Sequence, residues 1–295
     1  MIVITTPTGN IGSQVLADVL KTNEAVRVIV RDAAKLDSAV KDRAEIVEGS
    51  SDDPAIVNKA FSGADTVFWV VPPKADVDDL WVYYRHVNQV AAGAAIAQNI
   101  KRIVWVSTLG TEADLGDTSG HLSAAKAADK PLLETGITAR ILDPATFMDN
   151  MLYRVSAIQE QGKLQLPNAA DKVMHVVATR DIAAKAAELL VNADWDGVER
   201  MPLLSSDNLT PMQMADIISD VLGKPVSFEQ LDHQAYKASL IKHGFSNAVA
   251  QGMIDMAAAQ SNGAYLSEAE TAERAPTDFR TWCEEVLKPA VPRSA

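Results

Sequence analysis

The opening stretch MIVITTPTGNIGSQVL constrains the fold more than any other part of the chain. Ile2 to Thr5 reads as a short buried strand. A polar turn with Gly9 and Gly12 follows, and Ile11 to Lys21 reads as a helix. Strand, glycine turn and helix make the first unit of a doubly wound sheet, whose ligands bind at the carboxyl ends of the strands. Free N–H groups and partial positive charge at such a helix start suit a pyrophosphate. Gly9 would let the backbone approach phosphates, and Gly12 would let the helix pack close to the strand. The spacing Thr6-x-x-Gly9-x-x-Gly12 nevertheless departs from G-x-G-x-x-G. Thr6 is β-branched and disfavours positive φ, and Pro7 has no N–H to donate. On spacing alone the turn is either a phosphate cradle or a tight strand-to-helix connection.

The alternation continues. Val26–Val30, Ala44–Val47, Asp65–Val71, Arg102–Thr108 and the stretch ARILDP read as strands. Helices are expected over Pro54–Phe61, Val77–Asn99 and Ser123–Thr135. Short apolar β-rich runs separated by helices imply a parallel sheet covered on both faces. Past Pro144 the rhythm loosens. MHVVATRDIAAKAAELL reads as a strand then a helix, and MPLLSS as a short strand. LTPMQMADIISDVLG is a marked helix, with Thr210 at the N-cap, Pro211 in the first turn, Gln213 completing a capping box and Gly223 ending it. The rest, to about Leu287, reads as mostly helical. The expected fold is α/β, a Rossmann-type doubly wound parallel sheet with a small, mainly helical C-terminal substrate lobe. Residues 1–150 form the dinucleotide-binding core, a strand and helix return to it near 173–205, and 151–295 supply the lobe.

The formal charge of −12, from 39 acidic against 27 basic residues, repels phosphate backbones, and no basic patch counters it, so nucleic acid is not an expected partner. A single cysteine, Cys283, permits no intrachain disulfide. Neither a signal peptide nor an apolar run of membrane-spanning length stands out, and the expected location is the cytoplasm. The histidines, at 86, 121, 175, 233 and 243, show no metal-ligand pairing. Asp52 and Asp53 read as a turn end and a helix cap.

The end of the second strand, VRVIVRDAAKL, bears on cofactor choice. An acidic residue there holds a ribose 2′-hydroxyl, whereas an arginine accommodates a 2′-phosphate. Arg31 and Asp32 both occupy the place, with Lys35 nearby, so spacing leaves NAD and NADP open.

The sequence resembles the NmrA-like family of atypical short-chain dehydrogenases over most of its length. TTPTGNIGSQVLADVL looks like the family's glycine turn, with Thr6 in place of its first glycine. VRVIVRDAAKL looks like its second strand, where a terminal arginine reads the NADP phosphate. EIVEGSSDDPAIVNKAFSGADTVFWVVPP, IKRIVWVSTLG, LLETGITARILDPATFMDNM, TRDIAAKAAELL and LTPMQMADIISDVLGKPVSFEQL resemble later landmarks in order. At the sixth strand relatives usually carry Arg-Pro where this chain has Asp143-Pro144. The resemblance implies NADP(H), with NAD(H) as the alternative. It implies contacts from Thr6, Thr8, Gly9, Asn10, Ile11, Gly12, Arg31, Lys35, Ser50, Val71, Pro72, Ser107, Thr108 and Pro144.

Many short-chain dehydrogenases use a Tyr-x-x-x-Lys pair, and none of the tyrosines here (83, 84, 153, 236, 265) has lysine four residues later. Two readings follow. One is an NADPH-dependent reductase delivering hydride to a flat conjugated acceptor such as a quinone. The other is a non-catalytic NADP(H) redox sensor acting through a protein partner. His121 and Lys126 are candidate substitute acids. Trp81 and Tyr84 form a candidate aromatic wall for the acceptor, and Phe147 and Asn150 match a pocket-lining position of the family. Expected partners are therefore a small-molecule acceptor and either a second copy of the chain or a protein partner.

Overall fold

The computed structural model describes residues 1–110, 115–192 and 194–292. The first half runs β1 (Ile2–Thr5), α1 (Gly12–Val19), β2 (Val26–Val30), α2 (Ser38–Arg43), β3 (Ala44–Glu48), α3 (Pro54–Phe61), β4 (Thr66–Trp69), α4 (Leu80–Ala97), β5 (Arg102–Val106), α5 (His121–Ala127), α6 (Lys130–Leu133), β6 (Thr138–Pro144) and β7 (Thr146–Phe147). The second half runs α7 (Val155–Gln161), β8 (Lys163–Leu166), β9 (Val176–Val177), α8 (Thr179–Val191), β10 (Val198–Ser205), α9 (Pro211–Leu222), β11 (Ser227–Gln230), α10 (His233–Lys242), α11 (Asn247–Ser261), α12 (Leu266–Ala269), β12 (Glu273–Ala275) and α13 (Phe279–Trp282).

Among the described residues, eight strands form one sheet in the order β12-β10-β6-β5-β4-β1-β2-β3. Every pairing in it is parallel. Such strands are buried on both faces, which explains their unbroken apolar runs. On one face, α1 and α8 place Val15, Leu16, Ile182 and Ala186 against Ile4, Val28, Val104 and Leu142. On the other, α3 and α4 place Val57, Phe61, Val87 and Ala91 against Val3, Ile29, Val67 and Trp105. The chain order turns around between β1 and β4, and doubly wound sheets bind their ligands outside the carboxyl ends of the strands at such a switch point.

A third apolar core, holding Met148, Ile158, Leu164, Ile218, Phe279 and Trp282, supports the C-terminal part. Cys283 is buried within it. The capping box of α9 forms as its sequence implies: Thr210 Oγ1 accepts from the Gln213 amide and Gln213 Oε1 from the Thr210 amide. Asp53 Oδ1 likewise accepts from the Ala55 amide at 2.8 Å.

Some elements differ from the sequence expectation. The helix expected over Ser123–Thr135 is two, α5 and α6, with Pro131 in the first turn of the second, where its missing N–H costs nothing. Helix α4 begins at Leu80 rather than Val77, because Asp79 accepts from the Trp81 and Val82 amides and fixes the start. Strand β9 is short and pairs with β7, outside the central sheet. Strand β12, in a stretch read as helical, adds the sheet's last edge by pairing with β10. No helix among the described residues is long and apolar enough to cross a membrane.

Candidate functional site

The turn after β1 is built around an unusual backbone. Thr6 sits at φ 49°, a left-handed conformation that β-branched residues rarely adopt. Its carbonyl accepts from the Gly9 amide at 2.9 Å and closes the turn. A Cβ on Gly12 would lie 2.2 Å from Thr6 O and 2.8 Å from Thr5 O, so α1 approaches β1 as closely as only glycine allows. A Cβ on Gly9 would meet Thr6 O at 3.4 Å, an ordinary contact. Thr8 and Asn10 are exposed, and Ile11 is buried beneath them. Helix α1 has no side-chain cap and no acidic residue in its first turn. Among the described residues the amides of Asn10, Ile11 and Gly12 have no partner within the chain. Three successive open amides at a helix start fit an anion. Gln14 Nε2 donates to Asn10 O at 2.5 Å and to Thr179 Oγ1 at 3.0 Å, pinning the turn to α8.

The Thr6 conformation stores strain of about 1–3 kcal/mol. Thr6→Gly is therefore expected to raise the melting temperature of the ligand-free protein by a few degrees, part of the gain being offset by glycine's greater freedom when unfolded. Thermal denaturation checks this, and a fall in melting temperature would show that the turn is unstrained.

Past β2, Asp32 Oδ1 accepts from the Ala34 amide at 3.0 Å and caps the turn that carries Lys35. Arg31 is exposed, and among the described residues its guanidinium makes no hydrogen bond or ion pair within the chain. Ser50, after β3, is half-buried. Val71 and Pro72, after β4, are also half-buried, and the Pro72 carbonyl accepts from the Tyr83 hydroxyl at 2.7 Å.

The ends of β5 and β6 carry a buried charge cluster. Lys126 Nζ, from α5, lies 3.1 Å from Asp143 Oδ2 and donates to Thr108 O at 2.9 Å. Arg200, from β10, donates to both Asp143 oxygens at 2.9 Å and to Asp129 Oδ2 at 2.6 Å. Asp129 also accepts from Trp105 Nε1 and, at 2.7 Å, from Ser107 Oγ. Burial pushes the Asp143 carboxyl above its usual range, against the opposing pull of Lys126 and Arg200.

Thr108 is buried at the end of β5, and Pro144 at the end of β6. Gly110, just beyond Thr108, lies against the Ala264 carbonyl in the turn that precedes α12. There Tyr265 packs in with only 4 % of its surface exposed. Its hydroxyl accepts from Gln260 Nε2 at 3.2 Å, and the hydroxyls of Thr108 and Thr146 lie beside it. Glu268, in α12, accepts from the Gly110 amide at 2.7 Å. Phe147 is half-buried and Asn150 exposed beside this region.

The sequence model of the NmrA-like family matches residues 1–284. The chain belongs to the NmrA-like family. Among characterised relatives, it is 27% identical over 290 residues to a (4-alkanoyl-5-oxo-2,5-dihydrofuran-3-yl)methyl phosphate reductase of Streptomyces griseus, covering 97% of each chain. It is 26% identical over 256 residues to an NAD(P)H azoreductase of Xenophilus azovorans, covering 87% of this chain and 86% of that one. It is 25% identical over 275 residues to quinone oxidoreductase 2 of Escherichia coli, covering 92% of each. The fold superimposes on the NADPH complex of an Escherichia coli NADPH-dependent quinone oxidoreductase with a TM-score of 0.80 at 22% identity, covering 97% of this chain and 100% of that one.

Within this NmrA-like protein the two candidate acids sit in different surroundings. Lys126 is enclosed by Asp143 and the Thr108 carbonyl, with 4 % of its side chain exposed. Leu122 stands four residues before it, where a Tyr-x-x-x-Lys pair would carry its hydroxyl. His121 joins helices: Nδ1 lies 3.4 Å from the Tyr84 hydroxyl, and Nε2 lies 3.3 Å from Val249 O of α11. Burial lowers its pKa and favours the neutral ring. Tyr84 thus faces α5 and α11, while Trp81 lines a cavity of about 480 Å³ with Arg85, Leu115, Ser123, Lys126 and Lys130. That cavity does not include the glycine turn, Arg31 or Thr108. Tyr84 is not among the residues that line that cavity. Ser107 donates its hydroxyl to Asp129, and Thr108, its neighbour, donates to Leu109 O at 3.2 Å and lies beside Tyr265. Arg200, Asp129, Gln260 and Tyr265 are the site's additions that sequence spacing missed. Only the Asp143-Pro144 departure from the family pattern pointed toward any of them.

Proposed function

We propose that this chain is an NADPH-dependent oxidoreductase that delivers hydride to a flat conjugated acceptor such as a quinone. The observation that carries the reading is the open-amide turn joined to an unpartnered Arg31. In this reading the amides of Asn10, Ile11 and Gly12 hold the pyrophosphate, with Gly9 giving close approach. Thr6, Thr8 and Ser50 border the diphosphate and adenosine half. Arg31 reads the 2′-phosphate with Lys35 beside it, because the Asp32 carboxylate already caps its own turn. Val71, Pro72, Thr108 and Pro144 flank the ribose–nicotinamide half, and Ser107 positions its end through Asp129. NADPH supplies the hydride when bound. Residues 1–150, with the return over 173–205, form the cofactor unit. Residues 151–295 close over the acceptor, and Phe147 and Asn150 line its place. Support comes from the reductase relatives at 25–27% identity over most of the chain. Lys126 and His121 act by holding their surroundings rather than by proton transfer, since each is committed to partners within the chain.

Calorimetric titration with NADPH, NADP⁺, NADH and NAD⁺ tests the cofactor assignment. Arg31→Ala is expected to weaken NADPH binding by roughly 10- to 100-fold, the loss of a charged hydrogen-bond pair, and to leave NADH binding unchanged. A preference for NADH would transfer the role to Asp32. No binding of any of the four would end the oxidoreductase reading.

One observation favours a sensor of NADP(H) redox state: the segment Ala264–Ala269 packs over Thr108–Gly110, where an acceptor would enter. That reading predicts unequal affinities for NADPH and NADP⁺, and no NADPH oxidation across a panel of quinones, imines and enones.

A further inference from the structure

Tyr265 lies more than a hundred residues from Thr146, yet the Gln260 side chain joins its hydroxyl to that of Thr146 in β7, and Thr108, past the end of β5, lies beside it. Its surroundings are specific. Gln260 Nε2 donates to Tyr265 Oη at 3.2 Å and to Thr146 Oγ1 at 2.8 Å, and Asn168 Nδ2 donates to Gln260 Oε1 at 3.0 Å. On the other side, Thr108 is held from behind by Lys126, whose ammonium bonds its carbonyl at 2.9 Å. A phenol, two threonine hydroxyls and a carboxamide therefore converge at the carboxyl edge of the sheet, where ligands of doubly wound folds bind. No conventional sequence pairing supplies this hydroxyl, because Leu122 stands four residues before Lys126.

We propose that Tyr265 is the hydrogen-bond donor to the acceptor's oxygen, the role that Tyr-x-x-x-Lys enzymes give to a tyrosine on the helix after β5. The inference rests on the reductase reading above. Hydride addition to a quinone places an electron pair on the acceptor oxygen. The Tyr265 O–H donates to that oxyanion as it forms, and a proton from water completes the hydroquinone. One quinone, one hydride and one proton are consumed per turnover, and NADP⁺ leaves. Burial raises the phenol's pKa, so the hydroxyl stays protonated through the neutral range and remains a donor. Gln260 and the two threonines orient it. Glu268, accepting from the Gly110 amide, holds the turn that carries Tyr265 against the end of β5.

Tyr265→Phe tests the proposal against two probes, electron-poor 1,4-benzoquinone and electron-rich duroquinone, with NADPH affinity and melting temperature measured alongside. The expected result is a kcat loss of roughly 10²-fold with duroquinone, the scale of one oxyanion donor. The loss with 1,4-benzoquinone should be several-fold smaller, because its oxyanion is the weaker base. NADPH affinity should stay within about twofold, since the phenol does not touch the turn after β1. Unchanged turnover overturns the proposal. So does an equal loss on both quinones, which marks a packing role. Failure of the unmutated protein to reduce either quinone would instead overturn the reductase reading itself.

Discussion

Gly12→Ala is expected to leave little folded protein. The added methyl would stand 2.2 Å from Thr6 O and 2.8 Å from Thr5 O, and neither carbonyl is free to retreat. Thr5 lies in register with Ile29 of β2, and its hydroxyl donates to Phe68 O on the β4 side. The Thr6 carbonyl holds the turn through the Gly9 amide. Relief must come from α1 moving off the sheet, which would open the packing of Val15 and Leu16 against Ile4 and Val28. Overpacking a tight core costs about 1–3 kcal/mol, and displacing a helix adds the loss of its buried area. The sum is a large share of the 5–15 kcal/mol that holds a typical domain together. Gly9→Ala provides the contrast. Its methyl finds an ordinary contact at 3.4 Å, so the fold should survive. That methyl stands instead where a phosphate would approach, and NADPH affinity should fall by roughly tenfold or more. Circular dichroism and thermal melts of the two variants, followed by NADPH titration of the folded one, separate the roles. A stable Gly12→Ala protein would mean that the helix sits further from the strand.

The parts of this protein legible in its sequence are those that depend on neighbours close along the chain. The close helix–strand approach at Gly12, the α9 capping box and the Asp53 cap depend on a few neighbouring residues, and each forms as those residues imply. The buried strands announce themselves because both faces are covered, so their apolar runs are unbroken. Strand β12 lies at the sheet edge with two of its three residues exposed, and ERA carries no such signal. The site's polar interior was harder to see for a different reason. Arg200 meets Asp143 across 57 residues and Asp129 across 71, and no local period records contacts of that length. Thr6 is the instructive middle case. Its mismatch with a glycine position was visible, but only the fold shows that the backbone keeps the positive φ and bears the strain.

Asp143→Ala is the second change expected to act strongly, and its size follows from charge arithmetic. The cluster holds two cations, Lys126 and Arg200, and two anions, Asp129 and Asp143, almost all of it buried. Removing Asp143 leaves Arg200 with Asp129, but Lys126 keeps only the Thr108 carbonyl. An uncompensated buried charge costs about 3–5 kcal/mol. For a chain of this size that lowers the melting temperature by roughly 5–8 °C. The Lys126–Thr108 bond would also loosen, and with it the end of β5 that meets Tyr265. Adding Lys126→Met to Asp143→Ala makes the remaining pair neutral again, with one cation and one anion. The double variant is therefore expected to recover most of the lost stability, because the penalty comes from the orphaned ammonium rather than from the missing carboxylate. Recovery in the double variant would show that Asp143 serves mainly to neutralise Lys126. Additive losses would show instead that each side chain holds the ends of β5 and β6 through its own packing.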